Sequence, residues 1–150
     1  MIIDTNEKAY AMFDELGFPP VFRDIWEDKG PSALKYMYER PRVVYLENYL
    51  PLLAQNGDTI IAFDLESKRF VEHFLEVEHP TIIGTNYRQF IGWILLHLML
   101  SALEDVVKEV APLFEFKHLD ALFKHMHTLD ELDDPYEMDN ADRRFLESLE

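Results

Sequence analysis

Apolar positions recur at helical spacing at the start of the chain, switch to alternation in its middle, and return to helical spacing through the second half. Tyr10, Phe13 and Leu16 follow Asp4-Thr5-Asn6-Glu7, where an N-cap residue and a glutamate three positions on have the spacing of a capping box. This predicts a short helix that Gly17 ends. Phe18-Pro19-Pro20 reads as extended, because a residue before proline is sterically driven from the α region. Val21, Phe22, Ile25 and Trp26 predict a second short amphipathic helix closed by Lys29-Gly30. Pro31-Ser32 opens a third that runs through Tyr38.

The period changes after Pro41. Val43-Val44-Tyr45 and Tyr49-Leu50-Pro51-Leu52-Leu53 read as short extended pieces. Asn56-Gly57-Asp58 is a turn, and Thr59–Asp64 is a strand. The polar connection Leu65–Lys68 leads to a second strand, Arg69–Glu76, and the two predict an antiparallel hairpin. Alternation groups Ile61, Phe63, Val71, His73 and Leu75 on faces that share a core, against Ile60, Ala62, Phe70, Glu72, Phe74 and Glu76, without deciding which set is buried. His79-Pro80 breaks the sheet. Thr85 or Asn86 then caps a long helix reaching about Val110, in which Phe90, Trp93, Ile94, Leu96, His97, Leu98 and Leu100 cover most of the circumference, as in a helix packed on two sides. Pro112 ends it. Leu119, Leu122, Phe123 and Met126 mark another helix. The acidic segment Asp130–Pro135 follows, then a terminal helix bearing Phe145, Leu146 and Leu149. The expected fold is α+β: a central antiparallel β-meander packed against short N-terminal helices and a long C-terminal helix. It forms one domain over residues 1–150, with 106–150 as a helical, acidic C-terminal extension.

Composition narrows the function classes. At 150 residues and 48% apolar, the chain has the size and content to bury a core without covalent staples. It contains no cysteine, which excludes disulfides and thiolate chemistry. The N-terminus lacks a basic region followed by an apolar run, and the longest apolar stretch, Ile91–Leu103, is shorter than the roughly 20 residues a bilayer span needs. A cytoplasmic location is therefore expected. The formal charge is −15, and it is uneven: residues 1–60 are net −4 and residues 61–150 net −11. Such a field repels phosphate and anionic lipid and attracts basic protein. Basic residues pair only as Lys68-Arg69 and Arg143-Arg144, so neither a nucleic acid nor a membrane is expected as partner.

Catalytic patterns are missing. There is no nucleophile elbow, Walker loop or glycine-rich dinucleotide fingerprint, and Ser32, Ser67, Ser101 and Ser148 have no evident base beside them. His118, His125 and His127 form the densest histidine group, but their spacings of seven and two do not make the i, i+4 pair of a helical zinc site. His97 and His73 read as core or boundary histidines. No metal, cofactor, catalytic residue or small-molecule substrate is expected.

The order of these segments resembles the SUKH superfamily. Leu16-Gly17-Phe18-Pro19-Pro20-Val21-Phe22-Arg23-Asp24-Ile25-Trp26 is similar to its early helix–linker–helix. Tyr49–Leu53, Asn56–Asp64 and Phe70–Phe74 resemble its central β-meander, and Thr85-Asn86-Tyr87-Arg88-Gln89-Phe90-Ile91 resembles the entry to its long helix. The likeness covers about residues 6–105. It departs from the family pattern in Phe18-Pro19-Pro20, in the single Asn56-Gly57 before Asp58, and in residues 106–150. It implies a cofactor-free immunity protein that occludes a cognate toxin domain, with a non-catalytic adaptor for a cellular protein as the alternative. On that reading the expected partner-binding acids are Asp58, Asp64, Glu66, Glu72, Glu76 and Glu78 on the hairpin, with Phe70 or Phe74 as an apolar anchor. Asp133 and Asp134, in the acidic segment Asp130–Asp134, form a second candidate patch.

Overall fold

A computed structural model describes residues 1–41, 47–74, 76, 79–100 and 104–149. Val43-Val44-Tyr45, Leu75 and Glu78 lie outside the described residues. The architecture is α+β, and the chain divides into two compact units, residues 1–85 and 86–150.

In the first unit, α1 (Asn6–Leu16) begins one residue later than the capping-box spacing implies. Thr5 is the N-cap, its hydroxyl accepting from the Lys8 N–H at 3.2 Å, while the Asp4 carboxylate takes the Lys8 ammonium at 2.7 Å. Gly17 closes the helix in the left-handed conformation (φ 75°). Helix α2 (Val21–Trp26) buries Val21, Phe22, Ile25 and Trp26. The third expected helix is only a 3-10 turn, Ser32–Tyr36, and Tyr38 lies beyond it in the core. The extended run continues instead through Glu39, whose backbone pairs with Ala54 in both directions at 2.7 and 3.0 Å.

The sheet is a four-stranded antiparallel meander, β1 (Tyr49–Gln55), β2 (Thr59–Asp64), β3 (Phe70–Phe74) and β4 (Thr81–Gly84), in the order β1-β2-β3-β4. His79-Pro80 does not break it. Pro80 precedes an edge strand, where a missing N–H interrupts no ladder, and β4 pairs with β3 through a register shift between Phe70 and Val71.

Register corrects the expected grouping of faces. The connection Leu65–Lys68 has an even number of residues, so every rung of the hairpin joins an odd position to an even one. Ile61 lies opposite Glu72, Phe63 opposite Phe70, Ala62 opposite Val71 and Ile60 opposite His73. One face therefore carries Leu50, Leu53, Ile61, Phe63 and Phe70. Phe18 stacks on it, edge to face with Phe63 at 5.7 Å and tilted over Phe70 at 6.1 Å, and Phe13, Phe22 and Trp26 continue this aromatic layer from α1 and α2. The opposite face carries the buried cluster Ile60, Ala62 and Val71 with Tyr49 against it. Both faces of β1 and β2 are buried, which is why parity alone could not choose between them.

In the second unit, Asn86 caps α3 (Tyr87–Met99), its Oδ1 accepting from the Gln89 N–H at 2.9 Å. Eight residues of α3 are buried, around most of its circumference, as its pattern requires. The expected continuous helix to Val110 is instead two described segments, α3 and α4 (Glu104–Val110). In the last turn of α3 the Leu100 N–H bonds the His97 carbonyl at 3.2 Å, and Leu100 itself is exposed. Pro112 sits in a 3-10 turn, Ala111–Phe114, that finishes α4. Helices α5 (Leu119–Leu129) and α6 (Pro135–Glu147) follow. Gly92 lets α6 pack closely on α3: a Cβ there would come within 2.9 Å of methyl groups of both Leu146 and Leu149. No helix among the described residues is long and apolar enough to cross a membrane.

Candidate functional site

The hairpin acids do not form one patch. Asp64 and Glu66 stand at the β2–β3 turn. Asp58 and Glu76 belong to the opposite end of the hairpin, where Thr59 pairs with Phe74. From Asp58 to Asp64, six steps of about 3.3 Å separate the two ends by roughly 20 Å.

Several of these acids have local partners. The Asp64 carboxylate accepts from the Glu66 N–H at 2.9 Å and the Ser67 hydroxyl at 2.7 Å, closing the turn. Burial pushes this carboxyl up, yet the hydrogen bonds from Ser67 and the turn N–H groups, with the Lys68 charge, outweigh it and hold Asp64 below the usual carboxylate range. Glu66 accepts from the Asn48 amide at 2.9 Å, and Asp58 from the Thr59 hydroxyl at 3.1 Å. Glu72 is half-buried and acts electrostatically on Tyr38. Burial first, and the Glu72 charge second, drive the Tyr38 hydroxyl far above its ordinary range. Phe70 is buried, so it is no anchor, because the register turns it into the Phe18 layer. Phe74 (44%) and Ile82 (51%) are the exposed apolar side chains of β3 and β4.

The second unit concentrates charge. Between the end of α5 and the second turn of α6 stand Asp130, Glu131, Asp133, Asp134, Glu137 and Asp139, all exposed. No lysine or arginine lies between Lys124 and Arg143 to offset them. Asp134 also has a structural task, capping α6 by accepting from the Tyr136 N–H at 3.0 Å. In the middle of these acids Tyr136 is 73% exposed. Sequence reasoning named the segment Asp130–Asp134 but missed Glu137, Asp139 and this ring. The signal was present: at about 100° per residue, Tyr136 falls roughly 150° from the Met138–Asp142–Phe145–Leu149 stripe, on the side of α6 turned away from it.

The histidines hold this acidic turn in place. His125 Nε2 meets the Asp142 carboxylate at 2.6 Å, and its ring stacks on Phe145 with centroids 4.5 Å apart, joining α5 to α6. His127 Nε2 meets Glu104 at 2.8 Å, joining α5 to α4. His118 packs edge-on against Phe116. His97 Nδ1 lies 2.8 Å from the Trp93 carbonyl, so that nitrogen carries the proton. Among the described residues no three His, Cys, Asp or Glu side chains are placed to hold a metal. The rigid frame continues at the start of α3, where the Asn86 amide donates to the Leu149 carbonyl at 3.0 Å and Tyr87 donates to the Phe114 carbonyl at 2.8 Å.

What this arrangement presents is an acidic turn with one aromatic ring at its centre, fixed by hydrogen-bonded helices. In comparisons with models of known families, with curated proteins and with solved structures, the chain finds no match.

Proposed function

We propose that this chain is an immunity protein that binds a cognate basic toxin domain, of which a nuclease is one form, and neutralises it by occlusion. The observation that carries the reading is the run of six exposed acids that flanks exposed Tyr136 along the chain, on a chain of formal charge −15. Uncompensated acid on a fixed turn raises the encounter rate with a positively charged protein, up to about 10⁸–10⁹ M⁻¹s⁻¹ at low salt against 10⁵–10⁶ for a neutral pair. Speed matters to such a protein because capture competes with damage. Tyr136 supplies the kind of large, rigid aromatic anchor that dominates interface energetics. The order of segments that resembles the SUKH superfamily supports the same reading. It does so independently of the acidic turn, which lies beyond the resembling region.

The test is co-expression with the product of the neighbouring reading frame. Rescue of growth together with copurification is expected. Rescue with no physical association would rule out occlusion. Neutralising Asp130, Glu131, Asp133, Glu137 and Asp139 as amides, while keeping Asp134 for its cap, should slow association at least about tenfold at low salt and leave the fold intact. Tyr136→Ala should act mainly on dissociation. An association rate indifferent to both salt and these acids would remove steering from the account.

A further inference from the structure

The sheet has two edges, and the chain treats them differently. Beyond β1 the extended backbone at Glu39 pairs with Ala54 in both directions. Beyond β4 no strand or bridge follows among the described residues, and no backbone bond outside the β3–β4 ladder engages Thr81, Ile82 or Ile83. Such an edge presents a row of N–H and C=O groups to any extended chain laid beside it. The strand is also β-branched and uncharged, although charged side chains are a usual means of keeping an edge from pairing. Pro80 before it and the register shift at its Gly84 end confine the usable edge to Thr81–Ile83.

Register places the neighbours of that edge. Ile82 lies opposite Val71 and is 51% exposed, so one face of the edge offers hydrocarbon. On the other face Thr81 lies opposite Glu72, and alternation puts half-exposed Phe74 on the same side as Glu72. Glu76 stands exposed two positions past β3, at the Thr81 end, where His79 is also exposed. Arg69 belongs to the other end, beside Phe70, which pairs with Gly84. Carboxylates therefore mark one end of the open edge and a guanidinium the other.

We infer that β4 takes an added strand from a partner protein, an extended segment with a branched apolar side chain beside Ile82 and a lysine or arginine in the adjoining position, beside Thr81. Two strand spacings, roughly 10 Å, separate such a strand from β3. The short threonine between them leaves room for a long basic side chain to lay its stem toward Phe74 and bring its charge to Glu72 and Glu76. Main-chain bonds supply the affinity, and the two side chains select the segment. A second copy of this chain is the poorer occupant, because each copy brings a charge of −15 and β4 carries no cation to meet it. The edge belongs to the first unit and the acidic turn to the second, so this surface stands or falls separately from the immunity reading.

The test titrates a blocked peptide of alternating lysine and valine into the full chain at about pH 8, above the usual range of histidine, and follows backbone amide signals by NMR. Saturable shifts at Thr81, Ile82 and Ile83 are expected, with a dissociation constant of about 1 mM or below. The same peptide N-methylated at its central amides keeps its charge but loses its donors, and it should leave those three residues unmoved. Glutamates in place of the lysines should weaken binding at least about tenfold. Ile82→Lys puts a charge on the edge and should abolish the shifts. If that variant does not fold, Glu72→Gln should narrow the preference for the lysine peptide over the glutamate one. No saturation by about 10 mM, equal shifts with the N-methylated peptide, or a preference unchanged in the variants would each overturn the assignment. So would β4 signals that move with protein concentration alone, which would give the edge to a second copy. Shifts confined to Asp130–Asp139 would overturn it too, while leaving the acidic turn as a docking surface.

Discussion

Trp26→Phe tests how the first unit is held together. Trp26 is 1% exposed and packs against Phe13, and its N–H donates to the Pro51 carbonyl at 2.9 Å. Pro51 has no N–H of its own and stands where the β1–β2 register shifts, so the ladder is already interrupted there. The indole supplies a side-chain donor at that interruption. Phenylalanine keeps a ring in place but has no donor. Leaving a buried carbonyl without its partner costs about 1–3 kcal/mol. The lost five-membered ring leaves a void of roughly 40 Å³, adding about 1 kcal/mol at ~24 cal/mol per Å³. The expected destabilisation is therefore about 2–4 kcal/mol, a large share of the roughly 5–15 kcal/mol that holds a domain folded. Urea unfolding followed by far-UV circular dichroism measures it, and hydrogen exchange at Leu52, Leu53 and Ala54 locates it. A loss under about 1 kcal/mol, or protection of β1 unchanged, would mean that the carbonyl finds another partner and that the indole is not the support of the bulge.

Two further perturbations separate roles that one side chain combines. Asp64 has a depressed carboxyl, so its stabilising contribution is present above the ordinary aspartate value of about 3.9 and is lost as pH falls through the lower folded value. Asp64→Ala should thus be less stable than the parent at pH 7, with the gap narrowing as pH falls through the lowered folded value, and a gap that does not narrow in acid would contradict the turn-closure role. Asn86 both caps α3 and donates to Leu149. Asn86→Asp keeps the cap acceptor and loses the donor, so it should free residues 146–149 to exchange and proteolysis at little cost to α3. Asn86→Ala should lose both, at about 1–2 kcal/mol, and equal behaviour of the two variants would refute the double role.

Much of the fold was legible because local physics decided it. The Gly17 cap, the Asn86 cap, the hairpin turn at Asn56-Gly57-Asp58 and the amphipathic stripes of α5 and α6 each depend on a few neighbouring residues. The candidate site was legible only in part. Charge at Asp130–Asp134 was visible along the chain, but the exposure of Tyr136 among those acids depended on which side of α6 packs inward.

The sequence by itself determined α1, α2, the β1–β3 meander, the start of α3, α5, α6 and the surplus of acid, since helical and strand periods, caps and composition are local or additive properties. Tertiary structure alone decided the pairing of faces. The length of Leu65–Lys68 placed Phe70 beside Phe63 in the Phe18 layer, and β4 joined the sheet despite Pro80 because it occupies an edge. Only the folded chain also divided the acids into those with a structural task, such as Asp64 at its turn and Asp134 at its cap, and those that are simply exposed near Tyr136. Whether a carboxylate meets a backbone N–H, a hydroxyl or water depends on neighbours that folding brings to it.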